Sequence, residues 1–387
     1  MANTTGYSLA GYGDMISGRP RMEPYVQALR QAIRPGCVVL DIGAGTGIFS
    51  LLACQLGAGH VHAVEPDNAI QVARDMAAAN GYAERITFHQ ALSTAVTLPA
   101  PADVIISDLR GVLPLLQGHI PAIADARHRL LAPGGVLIPR RDTLWAALVE
   151  GAELYRRYAE PWLANDYGLD LSAGQPLVVN SWRKVNAKPE QLLVPPRCWA
   201  ALDYGAIEEP DVSGELGWTA ERAGTAHGLL VWFDAELADG IGFSNAPGQP
   251  ELIYGQAFFP LQKPIELASG VRVVVRLAAD LTGDDYIWRW ATAVFSSVDP
   301  LQPRLRFEQS TFFGTPLALA RLRRHAAGYV PRLEDGAEID RFILAQIDGQ
   351  TALGAIANRV LAHFPAQFPR WENALTRAGE LAERYWR

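Results

Sequence analysis

The sequence predicts an α/β protein: a doubly wound parallel sheet, then an antiparallel β-barrel domain, then a small, mostly helical C-terminal domain. Three observations predict it. Val38-Val39-Leu40-Asp41-Ile42 runs into Gly43, Gly45 and Gly47 and then into a helix-compatible stretch from Ile48 to Leu56, which reads as buried strand, tight turn and helix. Short apolar runs then alternate with helical stretches as far as Ile138, the signature of a parallel sheet with helical crossovers. Beyond Arg140 the pattern changes to β-prone segments separated by Gly, Pro and Asp turns, as in antiparallel sheets.

Length and composition set the bounds. The 387 residues give room for two or three domains, each with a full core. A hydrophobic content of 49% and a mean hydropathy of +0.03 fit a soluble globular chain. No apolar run of ~18 residues occurs, and Met1 to Thr5 lacks a basic region followed by an apolar stretch, so neither a membrane span nor a secretory signal is expected. Cys37, Cys54 and Cys198 are scattered without metal-ligand spacing; they indicate buried thiols in a reducing, cytoplasmic setting and no metal site. A net charge of −7 argues against a nucleic-acid groove over much of the surface.

In order, residues 1–140 hold a head and the parallel sheet. The head carries Tyr7, Tyr12, Met15 and Arg21 before a helix from Tyr25 to Ile33. Strands are expected at 37–42, 60–64, 86–89, 104–107 and 135–138, with Leu131-Ala132-Pro133-Gly134-Gly135 as the turn feeding the last. Residues 141–320 form the β domain, with strands at 143–149, 229–233, 271–277 and 288–295. Within it, residues 155–182 are aromatic-rich, with Trp162 and Tyr167, and their centre follows neither period; they read as an arm that docks on a second subunit or as an ordinary long connection. Past the basic junction Arg321 to His325, residues 325–387 give an amphipathic run from Glu338 to Ile347 and a turn at Asp348-Gly349. Thr351 follows as N-cap of a helix to His363, and a last helix runs from Trp371 to Arg387.

The chemistry starts at the glycines. They let backbone approach a ligand with no Cβ in the way, and the following helix offers free N–H groups. Eighteen residues past Gly47, a second strand ends on Glu65, where a ribose diol is held in this layout. Dinucleotides and S-adenosylmethionine both use such a turn. Asp41-x-Gly-x-Gly-x-Gly lacks the final glycine position of the dinucleotide fingerprint and places an acid before the first glycine. It resembles motif I of class I S-adenosylmethionine-dependent methyltransferases.

Over residues 7–316 the order resembles the protein arginine methyltransferase family. Val38 to Ser50, Val104-Ile105-Ile106-Ser107-Asp108, Asn165-Asp166-Tyr167-Gly168-Leu169-Asp170, Gly242-Phe243-Ser244, Gln256 and Phe258-Phe259 carry the resemblance. It implies S-adenosyl-L-methionine as cofactor and a homodimer formed through the arm. It also implies that Arg21 holds the methionine carboxylate, that Asp41, Gly43, Gly45 and Gly47 shape the cofactor turn, that Glu65 takes the ribose, and that Leu92, Ser93 and Thr94 flank the adenine.

The departures concern the acceptor. Where the family holds its guanidinium with two glutamates, this chain has Asp108 and Gln117; where it has Thr-His-Trp, this chain has Leu252-Ile253-Tyr254; and the aspartate that pairs with that histidine falls on Gly18. A guanidinium would lose a charged partner, so the expected substrate is a peptide or protein side chain other than a generic arginine. Asp108 either orients or deprotonates a neutral nucleophile such as an amide, hydroxyl or imidazole, or only pairs with Arg21, and His119 is either a base or a structural residue. Tyr12, Met15 and Tyr254 are candidate walls of the substrate pocket. Residues 339–344 and 347–357 resemble the winged-helix, PqqD-like peptide-recognition domains that bind a leader segment as an added strand; a plain helical cap is the alternative. A small-metabolite methyltransferase and a non-catalytic binding relative remain as competing readings.

Overall fold

The computed structural model describes residues 7–296 and 301–385; the reading of Met1 to Thr5 and the last two residues of the expected terminal helix lie outside them. The chain divides into two compact units, Met1–Pro316 and Leu317–Arg387.

The first unit opens with α1 (Leu9–Ser17) and α2 (Arg19–Ala32), followed by β1 (Val38–Ile42), α3 (Ile48–Gln55), β2 (His60–Val64), α4 (Ala69–Ala79), β3 (Ile86–His89), β4 (Ala102–Ser107), α5 (His119–Arg129) and β5 (Leu131–Ile138). Helix α2 begins six residues before the expected start, because Pro20 sits in its first turn where no intrahelical donor is lost and the helix continues through Pro24. Helix α1 was not expected from a segment holding two glycines; Ser8 caps it, its Oγ accepting from the Gly11 N–H at 3.1 Å. The expected turn at Leu131 to Gly135 is instead the start of β5, which bulges where Gly134 adopts a φ of 75° and the pairing slips between Ala102 and Val104.

The five strands form one parallel sheet in the order β3-β2-β1-β4-β5. Its central strands are buried on both faces, which is why they read as continuous apolar runs. The order reverses between β1 and β4, so their carboxyl ends open a crevice where loops diverge. That crevice holds the candidate site.

The rest of the unit comprises β6 (Arg141–Val149), α6 (Ala152–Ala159), α7 (Gln175–Val179), β7 (Arg183–Val185), β8 (Arg197–Asp203), β9 (Val212–Thr219), β10 (Gly224–Ala238), β11 (Ile241–Ser244), β12 (Gln256–Leu267), β13 (Arg272–Thr282), β14 (Asp285–Phe295) and β15 (Pro303–Ser310). They pair as two antiparallel sheets, β7-β12-β10-β6-β8 with β11 on β10, and β15-β14-β13-β9. Aromatic rings bridge them: Phe259 of β12 lies 5.2 Å from both Trp288 and Trp290 of β14, between ring centroids. Such rings bury large areas and dominate core energetics. The 155–182 segment holds α6, α7 and single 3₁₀ turns, and exposes Trp162, Leu163, Tyr167 and Leu169.

The second unit contains α8 (Leu319–Arg324), α9 (Asp335–Leu344), α10 (Leu353–His363) and α11 (Trp371–Tyr385). Ile343, Ile356, Val360, Phe368 and Leu381 make its core, and Arg377 clasps Asp340 through Nε and Nη2 at 2.8 and 2.6 Å. Thr351 is not the N-cap of α10; Ala352 holds that position, while the Thr351 N–H and hydroxyl both donate to Asp348 at the preceding turn. Among the described residues this unit has no β-strand, so the expected added-strand mode of leader binding has no sheet edge to join.

Candidate active site

The turn after β1 is built by backbone that only glycine adopts without strain: φ is 73° at Gly43, 53° at Gly45 and 83° at Gly47. The Gly43 and Ala44 N–H groups donate to the Val64 carbonyl at 2.8 and 3.0 Å, tying the turn to the end of β2. A Cβ at Gly45 would collide with the Tyr12 ring. At Gly47 it would lie 2.8 Å from the Ala73 side chain of α4, so Gly47 serves helix packing rather than the cavity wall.

Glu65 leaves β2 beside this turn. Its Oε2 accepts from the Gly45 N–H and its Oε1 from the Asp67 N–H, both at 2.9 Å. Burial raises its carboxyl above the usual range, and these two donors oppose the rise. Asp41 lies beneath the turn: Oδ2 accepts from the Ser50 hydroxyl at 2.7 Å, and Oδ1 is buried without a partner. Burial pushes its carboxyl up to about 7 against the Ser50 hydrogen bonds.

A cavity of about 510 Å³ opens over these groups, within the range of small-ligand sites. Gly43, Glu65, Leu92, Ser93, Tyr12, Met15, Arg21, Asp108, Gln117 and His119 all line it. Of the expected site residues, Asp41, Gly45, Gly47, Thr94 and Tyr254 are not among its lining residues; Thr94 is exposed to solvent, and Tyr254 is buried behind Asp108.

The wall of the cavity at Asp108 and Arg21 continues into a buried ladder of alternating charge. Asp108 Oδ2 accepts from Arg21 Nε at 2.8 Å, from Arg21 Nη2 and from the Tyr254 hydroxyl at 2.6 Å. Its Oδ1 accepts from Arg110 Nη1 at 3.2 Å. Arg110 in turn grips Asp142 of β6 through Nε and Nη2, both at 2.7 Å, and donates from Nη1 to the Tyr25 hydroxyl at 2.7 Å. The Tyr204 hydroxyl donates to Asp142 at 2.6 Å. Burial acts to raise the Asp108 carboxyl; Arg21 and Arg110 beside it and the Tyr254 hydroxyl more than reverse this and hold it below the usual carboxylate range. Gln117 sits exposed at the cavity rim with a φ of 45°, alone among the described non-glycine residues in a positive region.

His119 opens α5. Its Nδ1 lies 2.7 Å from the Pro114 carbonyl, which fixes Nδ1 as the protonated nitrogen, and its buried Nε2 has no partner. The ring lies 5.3 Å from that of Tyr204.

Sequence reasoning missed Arg110, Asp142, Tyr204 and Tyr25. Arg110 stood two residues from Asp108 on the same loop, and that proximity was the available signal. Asp142 lies 32 residues further on, and only the fold brings it near.

Comparison with known proteins agrees with this architecture. Residues 23–155 match the family model described as ribosomal protein L11 methyltransferase (PrmA), and residues 140–286 match the arginine methyltransferase oligomerization subdomain. The probable histone-arginine methyltransferase 1.4 of Arabidopsis thaliana is 33% identical over 292 residues, covering 69% of this chain and 54% of that protein. The arginine N(omega)-methyltransferase of Streptomyces achromogenes subsp. streptozoticus is 28% identical over 277 residues, covering 68% and 74%. The chain thus spans about half the length of the first relative and three quarters of the second. Among solved structures, the Trypanosoma brucei PRMT1 enzyme–prozyme complex with AdoHcy aligns with a TM-score of 0.70 at 22% identity, covering 77% of this chain and 96% of that one. Arabidopsis thaliana protein arginine methyltransferase 10 aligns with a TM-score of 0.70 at 22% identity, covering 78% and 97%.

Fold and turn together define a class I S-adenosylmethionine-dependent methyltransferase architecture. Within that class the chain is protein arginine methyltransferase-like, with the parallel sheet and the antiparallel domain both matched.

Proposed function

We propose that this chain transfers a methyl group from S-adenosyl-L-methionine to a peptide or protein side chain other than a generic arginine. The cavity fits the cofactor: Gly43, Ala44 and Thr46 of the glycine turn line it, Glu65 offers two carboxylate oxygens, and Arg21 Nη1 is engaged only by the Met15 carbonyl at 3.4 Å and Met22 Sδ at 3.2 Å. Arg21 would hold a carboxylate, Glu65 a diol, and Leu92 with Ser93 an adenine edge. The bound cofactor supplies an electrophilic methyl on sulfur. The chain's own task is to hold a nucleophile about 3–3.5 Å from it, in line.

One observation carries the choice of acceptor. Asp108 is the single carboxylate on the loop from Ser107 to His119, and its oxygens already receive four donors from Arg21, Arg110 and Tyr254. A guanidinium arriving there would meet two buried guanidiniums and no free anion. The exposed apolar side chains of the 155–182 segment, together with the match of residues 140–286 to an oligomerization subdomain, support pairing of two copies. The exposed Leu344, Ile347, Leu353 and Trp371 of the helical C-terminal unit support a role in recruiting the peptide.

Calorimetric titration of S-adenosylmethionine tests the reading. The native chain should bind it, and Glu65→Ala should weaken binding by ~1.5–3 kcal/mol through loss of charge-assisted hydrogen bonds. Absence of binding by the native chain removes the methyltransferase reading.

A further inference from the structure

We propose that His119 is the proton acceptor of the reaction, and that the substrate is therefore a neutral nucleophile bearing a removable proton: an amide, hydroxyl or imidazole. This rests on the methyl-transfer reading above. Asp108 is spent on two guanidiniums and a hydroxyl, and Gln117 carries no charge. Arg110, also buried and lining the cavity, is a cation and cannot take a proton, whereas His119 at the end of that loop is buried, titratable and lines the cavity. Its Nδ1–H is committed to the Pro114 carbonyl, so Nε2 carries the lone pair, and that nitrogen is shielded from solvent and without a donor until side chains beside it shift to admit one. An unpartnered buried acceptor in a native site calls for a partner; a substrate N–H or O–H is one.

The surroundings keep this imidazole ready. The groups around it are Arg110, Asp142, Asp108 and Tyr204. Burial and then Arg110 lower its basicity, with the Pro114 hydrogen bond and the two aspartates opposing. Its place at the first position of α5 also disfavours a cation there. The ring is thus neutral at pH 7, as a base must be. Tyr204, pinned by its own bond to Asp142, bounds the ring's position.

The step balances. The acceptor's lone pair takes the methyl group, the methyl–sulfur bond breaks with its electron pair left on sulfur, and the acceptor's proton passes to Nε2. The resulting imidazolium keeps its Nδ1–H on Pro114 and releases the new proton to solvent after the product leaves.

The test uses the full chain with S-adenosylhomocysteine bound and ¹⁵N-labelled histidine. Long-range ¹H–¹⁵N spectra, with the signal assigned by its loss in His119→Asn, should show His119 protonated at Nδ1 only and neutral down to below pH 6.5. With S-adenosylmethionine and a set of peptides identical except for one central Asn, Ser, Tyr or His, His119→Asn and His119→Gln should lower kcat about 100-fold or more. Both should keep the S-adenosylhomocysteine Kd within about twofold, which reports a folded cofactor site, and both should lose the acid limb of the pH–rate profile. A proton on Nε2, a charged ring at pH 7, unchanged turnover in both variants, or methylation of none of these peptides overturns the proposal. Failure of S-adenosylhomocysteine to bind the native chain overturns the methyltransferase reading instead.

Discussion

Replacing Asp142 by Asn breaks the inner half of the charge ladder and tests whether it holds the acceptor site in place. Both side chains of the Arg110–Asp142 pair are 0% exposed. The substitution removes a bidentate carboxylate with two bonds of 2.7 Å, leaving Arg110 with Tyr25 and the longer 3.2 Å bond to Asp108. Removing one partner of a buried pair costs ~3–5 kcal/mol because the other charge is stranded; the remaining bond to Asp108 places the expected loss near the lower end, about 3 kcal/mol. Removing both charges, as Arg110→Met with Asp142→Leu, strands no charge of that pair but leaves the Tyr204 hydroxyl and Asp108 Oδ1 without those partners, so it should cost about 1–3 kcal/mol. Denaturant titration followed by tryptophan fluorescence, on Asp142→Asn and on Arg110→Met, Asp142→Leu and their double, gives the loss and the coupling. A loss below about 1 kcal/mol for Asp142→Asn, the size expected of an exposed pair, would refute the buried ladder.

Other outcomes follow from the same geometry. The Asp41 carboxyl is raised from its usual 3.8 to about 7, so its contribution to folding stability is full below about pH 4 and is lost as the pH rises toward 7. Asp41→Asn should abolish that decline, at most about 4 kcal/mol over the whole rise and about 2.5 kcal/mol of it between pH 5 and 7.5, as read from denaturant midpoints at those two pH values. Gly45→Ala, at a φ of 53° and against the Tyr12 ring, should cost ~1–3 kcal/mol of backbone strain and weaken S-adenosylmethionine binding in calorimetry; unchanged affinity would mean the turn is not the cofactor cradle. Deleting residues 317–387 should raise KM for a long peptide while leaving cofactor Kd unchanged, and equal loss of both would make the unit a structural cap.

Much of the parallel sheet was legible because its central strands are buried on both faces and so read as unbroken apolar runs. Strands 60–64 and 86–89 have the expected bounds. Alternation in Tyr286 to Phe295 likewise marks a half-buried antiparallel strand. Errors arose where local chemistry pointed away from the tertiary outcome. Pro20 and Pro24 hid the start of α2, and Ala132-Pro133-Gly134-Gly135 looked like a turn although it bulges within β5. Within the site, a glycine turn and a strand-ending acid have fixed spacing, so Gly43, Gly45 and Glu65 could be placed in one dimension. The ladder could not. Nothing in the run Arg140-Arg141-Asp142 sets its acid apart, yet Asp142 is buried while Arg140 and Arg141 are half exposed. Tyr254 was anticipated as a pocket wall, and its hydroxyl instead bonds Asp108 and Arg21.

The most direct test of the central claim, that the acceptor site is closed to a guanidinium, is mass spectrometry of an arginine-rich peptide incubated with methyl-labelled S-adenosylmethionine. The native chain should leave its arginines unlabelled. The triple variant Arg110→Met, Asp142→Leu, Gln117→Glu, which removes the buried pair and returns a second carboxylate to the loop, should gain measurable labelling. Abundant dimethylarginine from the native chain would contradict the account.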